Sequence, residues 1–163
     1  MNGETGVAVP ALADALRRAG LKIATAESCT GGLIAAACTT VAGSSDWFER
    51  GFVTYSNEAK TEMLGVDAAL IRVHGAVSEP VARAMAEGAI ARSRAQLAVA
   101  VTGVAGPGGG SPSKPVGTVW VAWAQAGQPT RAELLKLDGD RRAIREQTVQ
   151  HALQRLLDAA RAA

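Results

Sequence analysis

The run AQLAVAVTG, residues 95–103, constrains the fold more than any other segment. From Leu97 to Val101 it has no polar alternation, and a strand of that kind must be covered on both faces. It therefore belongs inside a sheet with helices above and below. The neighbouring segments agree. PALADALRRA (10–19) places Leu12, Ala15 and Leu16 on one helical face, with Pro10 near the start and Gly20 at the end. LKIATAE (21–27) reads as a short buried strand, and SCTGGLIAAACT (28–39) switches to helical spacing with Ser28 at the junction. After the polar turn AGSSD, WFERGFVTYS (47–56) forms a second strand and NEAKTEMLG (57–65) a helix capped by Ser56 or Asn57.

A short helix is expected from Asp67 to Val73, then a longer one over 79–95 opened by Ser78, with Pro80 tolerated in its first turn and Gly88 a mild interruption. GTVWVAWAQ (117–125) and TRAELLKLD (130–138) make a hairpin around Gly127 and Pro129. Residues 140–162 close the chain as a long helix with Ile144, Thr148, His151, Leu153, Leu156 and Leu157 near its apolar stripe. The expected fold class is α/β: a three-layer α/β/α sandwich with a mostly parallel mixed sheet, its one antiparallel strand supplied by the late hairpin. Its 163 residues can bury roughly two thirds of the unfolded surface, and 1–163 reads as a single domain without repeat or linker. Aromatics make up only 4%, which suits an interior of Ala, Val, Leu and Ile.

Seventeen basic and 15 acidic side chains give a formal charge of +2, with no run of either sign. A sequence-independent grip on nucleic acid is not expected. Arg141, Arg142 and Arg145 are the one local basic concentration, suited to a single phosphate group or to a solvated helix turn. Cys29 and Cys38 lack the close partners of a zinc site, and His74 and His151 have no ligand pattern nearby, so neither metal nor cofactor is expected. No segment approaches the roughly 20 apolar residues of a membrane span, and MNGETGVAVP has neither a charged n-region nor a long apolar run. Cytoplasmic residence with reduced thiols is the expectation, with homo-oligomerisation left open.

Three segments can carry chemistry. In AESCTGG, a Ser between a buried strand and a helix presents its hydroxyl among unpaired backbone N–H groups that can stabilise an oxyanion. Ser28 or Thr30 can equally be a helix cap, with Gly31 and Gly32 there for packing. Cys29 is a rival nucleophile, because a thiol near a helix N-terminus has a lowered pKa, and spacing does not choose between the two. In YSNEAK, Tyr55 ends a strand and Lys60 falls within the first helical turn behind it. Lys60 serves as a general base only if its pKa drops from about 10.4 towards 7 to 8; otherwise it is a solvated surface lysine. In TGVAGPGGGSPSKPVG, glycines including Gly103, Gly106 and Gly108 let backbone approach a ligand, and Thr102 and Ser111 add hydroxyls. The loop lacks the GK[ST] ending of a nucleoside-triphosphate cradle. In an open α/β sheet ligands sit beyond the carboxyl ends of the parallel strands, where Ser28, Tyr55 and Thr102 would all lie.

Together, TAESCTGGLIA, GFVTYSNEAK, GAVSEPVARAMAEGA, VAVTGVAGPGGGSPSKPVGTVW and GDRRAIREQTV resemble the CinA C-terminal domain family, the nicotinamide-mononucleotide amidohydrolases. Five ordered blocks run from about Leu12 to Leu157. The resemblance implies a Ser-Lys amidase of the cytoplasm that takes nicotinamide mononucleotide as its small-molecule substrate. Ser28 would be its nucleophile, Lys60 the base and Tyr55 a supporting hydrogen-bonding residue. Longer members carry a molybdopterin-binding-like domain in front, and this chain looks like the stand-alone form. Under this reading Cys29, Thr30, Gly31, Thr102, Gly103, Gly106 and Gly108 line the substrate site, Arg141 and Arg145 hold the phosphate, and Arg141 lies four residues from Arg145 on one helical face.

Overall fold

The computed structural model describes residues 6–163. Met1–Thr5, on which the reading of the first residues partly rests, lie outside them.

Five strands form one sheet in the order β2-β1-β3-β4-β5. They are β1 (Ile23–Glu27), β2 (Phe48–Val53), β3 (Leu97–Gly103), β4 (Thr118–Gln125) and β5 (Arg131–Lys136). β1 pairs in parallel with both β2 and β3, while β4 pairs antiparallel with β3 and with β5. Only β4 therefore runs against the other four, as the hairpin expectation required. The apolar run at Leu97–Val101 is buried throughout, because β3 is covered on both faces.

The two faces differ in side-chain size. Leu97, Val99, Val101, Val119 and Val121 pack under α1 (Val9–Ala19), α2 (Leu33–Cys38) and α6 (Arg141–Ala162). The other face presents Ala24, Ala26, Ala98, Ala100, Ala122 and Ala124 to α5 (Glu79–Ala91), flanked by α3 (Asn57–Leu64) and α4 (Ala68–His74). Small side chains on the sheet let α5 lie close to it, and α5 answers with Ala82, Ala86 and Ala89 of its own. Gly88 belongs to that fit. It is buried, and a methyl group there would be driven into the carbonyl of Leu64, where α3 ends against α5.

Several boundaries move from those expected. The helix anticipated over 28–39 is only α2, because Gly31 and Gly32 take positive φ values of 56° and 109°, which stop a helix from starting before them. β2 ends at Val53, although Thr54 N–H still donates to Glu27 O at 2.9 Å before the chain turns into α3. Tyr55 thus lies beyond the strand. Ser56 rather than Asn57 caps α3, accepting from Ala59 N–H at 3.0 Å. α5 stops at Ala91, and Ser93 Oγ accepts from Ala95 N–H in the turn that follows. Asp67 caps α4 through Ala69 N–H and Asp140 caps α6 through Ala143 N–H. On α6, Ile144, Thr148, Leu153, Leu156 and Leu157 are buried as expected, with His151 at the margin.

Candidate active site

Because Glu27 is opposite Val53 and Val101, strands β1, β2 and β3 finish at one edge of the sheet, where β4 begins and β5 ends. The 28–32 turn, residues 54–56, the 104–117 loop and the first turn of α6 all gather there. Side chains from distant blocks of sequence meet as a result.

Ser28 leaves β1 half-buried, its N–H held by Val101 O at 3.1 Å. Its Oγ is 3.1 Å from Lys60 Nζ. Lys60 is not a solvated lysine: only 1% of it is exposed, and burial pulls its pKa below the usual lysine range. Nζ also reaches Thr54 O at 2.9 Å, Tyr55 O at 3.4 Å and Ser56 O at 3.5 Å. A neutral amine has two N–H donors and one lone pair. With its donors shared among these three carbonyls, a neutral amine keeps its lone pair for the Ser28 hydroxyl.

Cys29 is built differently. It is 6% exposed, and burial pushes its thiol up to about 12, so the thiolate required of a nucleophile is suppressed. Between the two neighbours, the geometry favours Ser28.

A residue that sequence reading passed over organises the turn. Glu27 is fully buried at the end of β1. Its carboxylate accepts from Thr30 Oγ1 at 2.5 Å, Ile34 N–H at 2.8 Å and Ala35 N–H at 3.1 Å. The free donors expected from the helix start are therefore occupied, and this six-residue helix offers none from Ile34 or Ala35 to a ligand. An unpaired N–H belongs to the turn instead: that of Thr30 finds no acceptor among the described residues. A carboxylate closing an otherwise apolar buried strand was the available signal, since burial demands that such a group be fully hydrogen-bonded.

Arg141 and Arg145 both face this edge, whereas Arg142 turns out to pair with Glu146 at 3.0 Å. Arg141 donates to Gly106 O at 2.8 Å and Tyr55 Oη at 3.1 Å, drawing the glycine-rich loop and the exposed Tyr55 together. Arg145 donates through Nε to Cys29 O at 3.1 Å and through Nη2 to Thr30 O at 3.3 Å. No ion pair among the described residues involves Lys60, Arg141 or Arg145. The positive charge of the two arginines is uncompensated by contact carboxylates, which suits an anionic ligand.

The loop departs in part from expectation. Thr102 is buried and its hydroxyl donates to Ala76 O at 2.9 Å, so it ties β3 to the start of the α5 segment. Gly103 and Gly106 are packed against Val119 and Val116, where any side chain would collide, and only Gly108 is open around its Cα. Ser111 and Lys114 bond each other's backbone, and Lys114 Nζ reaches His74 O at 2.7 Å. The loop is thus folded on itself. Among the described residues no three His, Cys, Asp or Glu side chains cluster to hold a metal, and no helix is long and apolar enough to cross a membrane.

Known proteins repeat this sequence and architecture. The CinA C-terminal domain profile matches residues 8–160. A nicotinamide-nucleotide amidohydrolase PncC of Pseudomonas putida is 58% identical over 146 residues, covering 90% of this chain and 91% of the relative. The protein of the same name from Escherichia coli K12 is 56% identical over 144 residues, covering 87% and 86%. A CinA-like protein of Akkermansia muciniphila is 60% identical over 141 residues, but these are 86% of this chain and only 34% of that protein. The chain thus spans about a third of such longer curated relatives. Among solved structures, the competence/damage inducible protein CihA of Agrobacterium tumefaciens superposes with a TM-score of 0.84 at 48% identity, over 91% of this chain and 94% of that one. A CinA superfamily protein of Klebsiella pneumoniae gives 0.89 at 39% identity, over 93% and 94%. With its profile, its relatives and its fold in agreement, the chain belongs to the CinA C-terminal domain family.

Proposed function

We propose that this protein hydrolyses the carboxamide of nicotinamide mononucleotide to nicotinate mononucleotide and ammonia, with Ser28 as nucleophile and Lys60 as base. The observation that carries the reading is the 3.1 Å approach of a buried, pKa-lowered Lys60 amine to the Ser28 hydroxyl. The names of relatives matched over nearly their whole length supply the substrate.

Neutral Lys60 takes the Ser28 proton as Oγ attacks the carboxamide carbon, and the carbonyl oxygen becomes an oxyanion facing the turn N–H groups. The Lys60 ammonium returns the proton to the departing nitrogen. The C–N bond breaks, ammonia leaves, and an ester joins Ser28 to the pyridine carbonyl. Water, deprotonated by Lys60, then cleaves the ester and restores the Ser28 hydroxyl. Arg141, exposed at the rim without a carboxylate partner, is the phosphate anchor, and the loop from Gly103 to Gly110 borders the ribose or ring. The two free thiols accord with a reducing cytoplasmic setting.

Ammonia release from the mononucleotide tests the reading. Ser28→Ala and Lys60→Ala should each lose at least about a thousandfold in turnover while remaining folded, and Cys29→Ala should stay active. Turnover that survives Ser28→Ala but dies with Cys29→Ala would transfer the chemistry to the thiol. A wild-type protein that binds the mononucleotide without releasing ammonia would be a binding module instead.

A further inference from the structure

The cations beside the turn do not share one task. Arg145 is half-buried, and its fork grips two successive carbonyls, Cys29 O through Nε and Thr30 O through Nη2. The only cis peptide among the described residues is Gly106-Pro107, so the Cys29–Thr30 peptide is trans. In a trans peptide the carbonyl and the following N–H point in opposite directions. Holding Cys29 O towards Arg145 therefore turns Thr30 N–H away from it. That N–H has no acceptor among the described residues, whereas Gly31 N–H is taken by Ser28 O at 3.0 Å. Glu27 grips the same residue through Thr30 Oγ1. One arginine and one buried carboxylate thus hold Thr30 by its carbonyl and its hydroxyl, and its N–H stays unengaged next to the nucleophile's turn.

We infer that Arg145 is a positioning residue for the oxyanion site: it clamps the 29–30 peptide so that Thr30 N–H faces the carbonyl oxygen of a substrate attacked by Ser28, and it does not serve as the phosphate ligand. The inference rests on the amidohydrolase reading above and gives Arg145 a role separate from that of Arg141. Because the oxyanion exists only after attack, the clamp acts on the transition state rather than on ground-state binding.

Arg145→Ala and Arg145→Lys separate the two roles. A clamp requires two donors in a fixed fork, so both variants should lose roughly a hundredfold in kcat, the scale of one oxyanion donor, with KM within about threefold of wild type. A phosphate ligand predicts the reverse: KM rising tenfold or more in Arg145→Ala, kcat retained, and Arg145→Lys close to normal. Added guanidinium should restore part of the kcat of Arg145→Ala. Binding of the mononucleotide to Ser28→Ala and to the Ser28→Ala, Arg145→Ala double variant should be equal by calorimetry. A tenfold weaker double variant, or an unchanged kcat in Arg145→Ala, overturns the inference. If the wild type releases no ammonia, the amidohydrolase reading fails, and the clamp is then judged by phosphonylation of Ser28 with a fluorophosphonate. That reaction passes through the same anionic oxygen, so it should slow in Arg145→Ala by a similar factor, and an unchanged rate overturns the clamp on its own.

Discussion

Lys60 gives its environment a pH signature in stability as well as in turnover. Burial sets its folded pKa below the ordinary 10.5, so between the lowered value and 10.5 the unfolded chain carries the extra proton. Stability contributed by this residue therefore rises with pH across that window and is lost as pH falls through the folded value. Cys29 and Cys38 act in the opposite sense. Their thiols are pushed from 9.0 up to about 12, so the folded chain holds protons that the unfolded chain releases, and stability declines as pH rises through that range. Comparing wild type with Lys60→Met cancels the cysteines. The difference in melting temperature should move in favour of the wild type as pH is raised from about 7 towards 10, and a difference that stays flat would mean that Lys60 is not titrating below its ordinary range. The acidic limb of kcat/KM should follow the same ionisation, rising as Lys60 loses its proton.

At the scale of elements, the close approach of α5 to the alanine-lined sheet makes the helix intolerant of added volume. Gly88→Ala should cost about 1–3 kcal/mol in denaturant unfolding although alanine is the better helix former, because its methyl group meets the Leu64 carbonyl rather than space. A neutral or stabilising result would show that α3 and α5 can separate. This position also marks how far sequence legibility extended. The glycine read as a mild interruption, because helical propensity is local while the obstructing carbonyl comes from an element 24 residues earlier in the chain, as 88 − 64 gives. The mostly parallel sheet and its one reversed strand were legible from one apolar run and one hairpin signal, whereas the order of the strands was not read. The length of α2 was not, since its spacing continues back to Ser28 and only the left-handed Gly31 and Gly32 cut it off. At the site, Ser28 and Lys60 were singled out by spacing and family resemblance together, whereas the pairing of Arg142 with Glu146 was not read. Glu27 was passed over because two of its three partners are backbone N–H groups, which carry no residue identity.

For the molecule as a whole, the parallel strands aim their ends at one edge, and that edge carries Arg141 and Arg145 without contact carboxylates although the formal net charge is only +2. Such a field draws in anions and is screened by salt over about 10 Å at 0.1 M. kcat/KM for the mononucleotide, which carries an anionic phosphate, should fall as ionic strength rises from about 0.02 to 0.5 M, while slow turnover of neutral nicotinamide should hardly change. Equal salt dependence for both substrates would mean that the edge does not steer its ligand. The same edge must also let go of what it makes. The proposed deamidation turns a neutral carboxamide into a carboxylate, and the unpaired N–H groups of a free helix start beside the turn would hold such an anion well. Here Ile34 and Ala35 already donate to Glu27, an anion that the protein carries permanently. Under the proposed function the site is thereby relieved of a trap for its product, and departure of nicotinate mononucleotide need not compete with the helix that follows the turn.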